Sequence, residues 1–287
     1  MPHSIGPAPA IYYETSGAAD GAPLVLIEGM GAQLIGWRDG FVDRLVAGGM
    51  FVIRLDNRDV GLSDKLGEPG SVGLAYTLDD MAGDVCRVLD ALGLASAHIV
   101  GQSLGGGVAQ AMAITAPARV RSMTLFYTAP AFSDAFVTDE IKQRIGTPPP
   151  SAPRSRDAEV ATFVEHQRLC GSTAFPFDEA WMRELGARTY DRCFCPDGAA
   201  RQAMAAVASP DRSEQLRRIS VPTAIIHGRA DRLIKVEAGL ALAELINDTE
   251  LHIYPGMGHQ VVEPLWGDFI SIIARTVGRH CDGDQVA

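Results

Sequence analysis

Short apolar runs, several rich in β-branched residues, recur along the chain at residues 24–27, 51–55, 98–100, 123–127, 223–226 and 251–254. Runs this short, with few polar interruptions, predict strands buried on both faces, as in a parallel sheet. Between them the apolar positions take up helical spacing. One helix is expected to begin at Thr77, whose hydroxyl suits an N-cap, with Asp80 in the first turn and Met81, Val85, Val88, Leu89 and Leu92 forming an apolar stripe. Others are expected at about 108–116, 236–245 and 265–277. Strands alternating with helices imply right-handed crossovers and an α/β fold, a mostly parallel sheet with helices on both faces. No internal repeat is visible.

The rhythm fails between about Pro130 and Arg218, where no strand-length apolar run occurs. This stretch holds T-P-P-P-S-A-P at 147–153, then helical patterns near 160–169, 179–190 and 198–208. It carries Phe163, Phe175, Phe177, Trp181 and Tyr190. An inserted helical cap (130–218) between the two parts of an α/β core (1–129 and 219–287) is the predicted organisation. Most of these aromatics are expected to pack the insertion's own core, with two or three facing a pocket.

Composition narrows the partners. A chain of 287 residues, 47% hydrophobic and 21% charged, suits one large soluble α/β domain with an insertion. The net charge of −10 speaks against a nucleic-acid partner, which requires a basic surface. No apolar run reaches the length of a membrane span. The start, M-P-H-S-I-G-P-A-P-A, has neither a basic n-region nor an apolar h-region, so no signal peptide and a cytoplasmic location are expected. The five cysteines are odd in number and irregularly spaced, and Cys193-Phe-Cys195 lacks the usual two-residue gap. Free thiols are the preferred reading, with metal binding second.

Residues 101–105 read G-Q-S-L-G and lie between the run at 98–100 and the following helical pattern. They match the G-x-S-x-G nucleophile elbow, a strand-to-helix turn so tight that its serine is strained and side chains two residues away would clash. Gly101 and Gly105 remove that clash, and Gly106 and Gly107 are expected to let the helix approach the sheet. The helix N-terminus then aims free N–H groups at Ser103. A serine needs a base, and the base an orienting acid, here in the chain order serine, acid, histidine. T-A-I-I-H-G-R-A-D puts Asp231 in the loop after the run at 223–226, and L-H-I-Y-P-G-M-G-H puts His259 after the run at 251–254. Both loops lie at the C-terminal edge of the sheet, where α/β folds gather their sites.

Rivals rank below these. His98, His227 and His252 lie in or beside strands, His3 and His280 near the ends, and His166 in the insertion. Asp134 is a second candidate acid, several residues beyond the run at 123–127. Asp56, in R-L-D-N-R-D, is expected to organise its turn with Arg58. A forming oxyanion needs two backbone donors. Leu104, after the serine, is one candidate, and Met30, in E-G-M-G at 28–31, is the other. A plain glycine turn is the competing reading of that loop.

With these residues in place the chain resembles the α/β-hydrolase superfamily from about Ile11 to Val277. G-M-G-A-Q-L-I-G-W at 29–37, D-N-R-D-V-G-L-S at 56–63, G-Q-S-L-G, H-G-R-A-D and P-G-M-G-H carry the likeness. Their combination is similar to the branch containing aclacinomycin methylesterase and related bacterial carboxylesterases. The resemblance implies a cofactor-free ester hydrolase, with Ser103, Asp231 and His259 as its triad, but does not fix the substrate; the apolar cap hints at a small-molecule hydrophobic ester. One departure stands out: Glu28 precedes the oxyanion glycine where many relatives carry histidine. It is expected to point away into a backbone network, the alternative being that it tunes the site. The same triad could also cleave a carbon–carbon bond or transfer an acyl group, and the fold could serve as a ligand-binding module. Oligomeric state is not legible.

Overall fold

The computed structural model describes residues 3–4, 9–67, 73, 76–146 and 155–283. Its sheet has seven strands, β1 (Tyr13–Ser16), β2 (Ala22–Ile27), β3 (Met50–Leu55), β4 (Ala97–Gln102), β5 (Val120–Phe126), β6 (Thr223–Gly228) and β7 (Thr249–Tyr254). They lie in the order β1-β3-β2-β4-β5-β6-β7. Every pairing is parallel except that of β1 with β3. The six expected strands are present, each extended at one or both ends. β1, half-polar and only four residues long, carries no apolar run by which to find it. β7 departs from the expected double burial: it is half-buried throughout because it is an edge strand.

Apolar side chains leave the central strands in both directions. Val25, Ile27, Ile53, Ile99 and Leu125 meet α2 (Leu78–Ala91), α3 (Leu104–Thr115) and α9 (Val236–Leu245). Leu24, Leu26, Val52, Val100 and Phe126 meet α1 (Asp39–Ala47) and α10 (Trp266–Gly283). The period-2 geometry of a strand thus places a core on each face. α2 starts as expected: Asp80 N–H donates to Thr77 Oγ1 (3.2 Å), and Thr77 N–H to the Asp80 carboxylate (2.8 Å). This reciprocal capping box satisfies two otherwise orphaned donors.

Between β5 and β6 the described residues form helices: α4 (Asp139–Gly146), α5 (Arg156–Leu169), α6 (Glu179–Arg192), α7 (Pro196–Ala208) and α8 (Ser213–Leu216). α4 is charged and short and was not expected. The proline-rich stretch at 147–153 lies outside the described residues.

Charge fastens this helical segment to the sheet. Asp56 and Asp59, at the C-terminal end of β3, have fully buried side chains. Arg192 donates to Asp56 at 3.0 and 3.3 Å, and Arg201 forks onto Asp59 at 2.7 and 3.0 Å. Asp56 also accepts the Leu34 and Leu62 amides, so it does organise its turn, but its ionic partner is Arg192 and not Arg58. Arg58 instead points down to Asp84 of α2, at 2.5 and 2.7 Å. Gln202 completes the seam by donating to Arg58 O and accepting from Gly31 N, both at 2.8 Å. Breaking one partner of a buried pair strands the other charge. Arg201→Met should therefore destabilise the protein by about 3 kcal/mol, read as a lower urea midpoint. An unchanged midpoint would show that Asp59 needs no cation.

Candidate active site

β4 passes into α3 with Ser103 alone between them. Its backbone sits at φ 53°, ψ −118°, outside the regions open to ordinary residues. Hydrogen bonds from Ser103 N to Phe126 O (3.0 Å) and from Gly106 N to Ser103 O (3.0 Å) hold it there. The flanking glycines are sterically required. A Cβ on Gly101 would lie 2.3 Å from Gly105 O, and one on Gly105 would lie 2.4 Å from Ile27 O of β2. Gly106 faces Thr128, just beyond β5, at 2.6 Å. Gly107 faces Leu78 of α2 and Arg212, not the sheet as expected.

The loop after β6 turns Asp231 inward. Its fully buried carboxylate accepts the amides of Leu233 (2.8 Å) and Ile234 (3.0 Å) on Oδ1 and meets His259 Nδ1 at 2.7 Å on Oδ2. His259 is held further by its own N–H to Cys170 O (2.9 Å) and by the Tyr127 ring, 4.3 Å away between centroids. Ser103 and His259 open onto the same cavity of about 900 Å³. Their side chains are not hydrogen-bonded to one another, a looseness common in ligand-free sites.

Rival groups lie elsewhere. His227 is buried, bonds Ile234 O through Nε2 (3.1 Å) and stands 3.7 Å from Asp231; burial lowers its pKa. His98 bonds Ser122 Oγ (2.8 Å), and burial pushes its pKa down to about 3. His252 pairs with Glu250 on β7. Asp134 is exposed and held by Lys142 (2.6 Å). Of the loop 28–31, the Gly29 amide donates to Glu28 and the Gly31 amide to Gln202. Among the described residues the Met30 amide has no acceptor, and neither has that of Leu104 at the head of α3. From the helical segment Phe163, Phe177 and Trp181 face the cavity, with Met182 and Leu185. Among the described residues no three His, Cys, Asp or Glu side chains are disposed to hold a metal, and no helix is long and apolar enough to cross a membrane.

Glu28 does point into a network. Its Oε2 accepts from Gly29 N (3.1 Å) and Gln102 Nε2 (2.6 Å), and Gln102 in turn accepts the Tyr127 hydroxyl. Sequence reasoning missed Gln102 and Tyr127, which occupy variable positions of the elbow and a strand end and carry no motif. Glu28 Oε1 has no partner, and burial pushes the carboxyl up to about 8, outweighing the two hydrogen bonds. At neutral pH Glu28 is uncharged. From about pH 4.5 to about 8 the folded protein keeps this proton while the unfolded chain releases it, so the position's contribution to stability falls as pH rises across that window. Glu28→Gln holds no such proton. Its stability relative to wild type should rise between pH 5 and pH 8 by a few kcal/mol, at about 1.4 kcal/mol per pKa unit, measured by urea unfolding. Turnover at pH 7 should stay nearly unchanged. A pH-independent stability difference would mean Glu28 is ionised throughout.

Comparison with known proteins agrees with this architecture. Residues 22–263 match the family model described as alpha/beta hydrolase fold. Rhodomycin D methylesterase DnrP of Streptomyces peucetius is 32% identical over 279 residues, covering 89% of this chain and 92% of its own. The 2-hydroxymuconate semialdehyde hydrolase of Pseudomonas sp. strain CF600 is 29% identical over 251 residues, 83% of this chain and 81% of its own. Among solved structures, the enol-lactonase from Burkholderia xenovorans LB400 superposes with a TM-score of 0.75 at 21% identity, covering 96% of this chain and all of that one. The strained serine turn, the strand order and these likenesses converge: the chain belongs to the alpha/beta hydrolase fold family.

Proposed function

We propose that the protein is a carboxylic ester hydrolase acting through an acyl-enzyme, with Ser103 as nucleophile, His259 as base and Asp231 as orienting acid. The observation that carries this reading is the buried Asp231 carboxylate 2.7 Å from His259 Nδ1, which leaves the imidazole's other nitrogen for a proton from Ser103 across a shared cavity. His259 takes that proton as Ser103 Oγ attacks the ester carbonyl, and Asp231 stabilises the imidazolium. The amides of Met30 and Leu104, without acceptors among the described residues, donate to the oxyanion, and the N-terminus of α3 adds its dipole. His259 returns the proton to the leaving alcohol, then activates the water that releases the acid.

The helices of residues 130–218 act in this reading as a cap over the core of 1–129 and 219–287. Their aromatic lining favours a small-molecule hydrophobic ester as substrate. The likeness to a named methylesterase supports ester chemistry.

The test is hydrolysis of p-nitrophenyl esters of graded acyl length by wild type and Ser103→Ala, with a vinylogous ring-fission diketone as the competing substrate. Loss of ester turnover by about 10,000-fold or more in the variant is expected. Turnover of the diketone and not of any ester would assign carbon–carbon hydrolysis instead. Equal ester turnover by both proteins would remove Ser103 from the mechanism.

A further inference from the structure

A second, smaller cavity of about 80 Å³ also reaches Ser103. Ser103, Met30 and Ile141 line both cavities, Leu104 and Arg212 only the small one, and His259 only the large one. Apart from Ser103, Gly107, Thr128 and Arg212 the small cavity is walled by Leu, Ile, Val, Ala, Met and Phe side chains.

Arg212 is unlike the other buried arginines. Arg54, Arg58 and Arg201 each pair with a carboxylate, whereas Arg212, 7% exposed, has none within 4.0 Å among the described residues. Its guanidinium contacts are neutral and long: Nε to Gln110 Oε1 at 3.4 Å, Nη2 to the same oxygen at 3.5 Å, and Nη2 to Ala129 O at 3.4 Å. A charge-assisted hydrogen bond normally closes to about 2.7–2.9 Å. Asp79 and Asp211 act on Arg212 only at longer range, and burial pulls its pKa down to about 10, so it stays a cation at neutral pH. A buried cation with no carboxylate bonded to it is costly unless something pairs with it.

The position of Nη2 is informative. It lies 3.6 Å from where Gly107 would carry a Cβ, four residues, or about 6 Å of helix rise, beyond Ser103. A carboxylate two methylenes from a carbonyl on Ser103 spans that gap. Direction follows from His259, which must protonate the leaving oxygen and therefore keeps the alcohol in the large cavity, with the acyl group in the small one.

We propose that the small cavity is an anion subsite in which Arg212 receives the free carboxylate of a short dicarboxylic half-ester, the bulky apolar alcohol filling the large cavity. This rests on the ester-hydrolase reading and names its substrate class. The bond broken is acyl carbon to alcohol oxygen; water supplies the hydroxyl of the released acid, and its proton ends on the alcohol.

The test compares kcat/KM for 1-naphthyl hemisuccinate with that for its neutral isostere, 1-naphthyl 4-methylpentanoate, in wild type, Arg212→Met and Arg212→Lys. Wild type should prefer the hemisuccinate, Arg212→Met should lower the ratio about 100-fold, and Arg212→Lys should restore part of it. A ratio equal in wild type and Arg212→Met, or below one in wild type, overturns the subsite. If Arg212→Met fails to fold, the wild-type ratio and the lysine variant decide. Calorimetric binding of hemisuccinate to Ser103→Ala, with and without Arg212→Met, separates the two readings. Arg212-dependent binding without turnover by the active protein keeps the subsite and sinks the esterase. Ester turnover indifferent to Arg212 does the reverse.

Discussion

The direct passage of β4 into α3 is the constraint on which the rest of the structure depends. With one residue between strand and helix, Ser103 has to accept a backbone conformation that costs about 1–3 kcal/mol, and α3 has to start almost in contact with β2. The helix therefore runs buried on all sides from Leu104 to Ala113, and its first residues can carry no side chain toward Ile27. That closeness has a second consequence. It sets the head of α3 beside the loop that follows β2, so the acceptorless amides of Leu104 and Met30 lie on elements locked together by the same contact. Two donors on rigid elements need no reorganisation when charge forms near them, which is the physical basis for assigning them to the oxyanion.

Buried charge is handled in two ways around this turn. Where the sheet meets the helical segment, charges are paired: Asp56 with Arg192, Asp59 with Arg201, and Arg58 with Asp84 beneath. Such pairs add little net stability over apolar contacts, but each tolerates only one partner geometry and so fixes how the segment docks. Arg38 acts likewise at the rim, held by Asp178 at 2.6 Å and Glu263 at 2.7 Å while its guanidinium lies over Trp181. Next to Ser103 the solution differs. Glu28 has no bonded cation, and burial raises its pKa to about 8, so at pH 7 it is mostly protonated.

Much of this was legible in the sequence because sterics and periodicity leave local marks. Six strands, the Thr77 cap, the elbow glycines and the order of Ser103, Asp231 and His259 follow from spacing alone. What was not legible depends on long-range pairing. β1 has no apolar run because it is an edge strand joined antiparallel to β3. Asp56 was assigned to Arg58, two residues away, since local proximity is all a sequence offers, whereas its partner Arg192 stands 136 residues on. Gln102, Tyr127 and Arg212 carry no motif, and their roles exist only once β4, β5 and the end of the helical segment converge. Of the aromatics in the insertion, Phe163, Phe177 and Trp181 reach the cavity, and the helical pattern alone could not have chosen them.

The overall charge of −10 would seem to argue against an anionic substrate, but the distances involved decide otherwise. Surface charges are screened over about 8–10 Å at physiological ionic strength, so the net charge governs approach and not the final contact. Arg212 is buried among apolar side chains, where a charge interacts far more strongly than in water. Its direct contacts are neutral carbonyl and amide oxygens, with Asp79 and Asp211 acting at longer range, while burial raises the pKa of Glu28, in the loop after β2, to about 8. Around the small cavity Arg212 and the N-terminus of α3 are thus both positive, inside a negatively charged protein. That polarity suits both an oxyanion at the head of α3 and a carboxylate at Arg212, whereas in the large cavity Arg38 is already held by two acids.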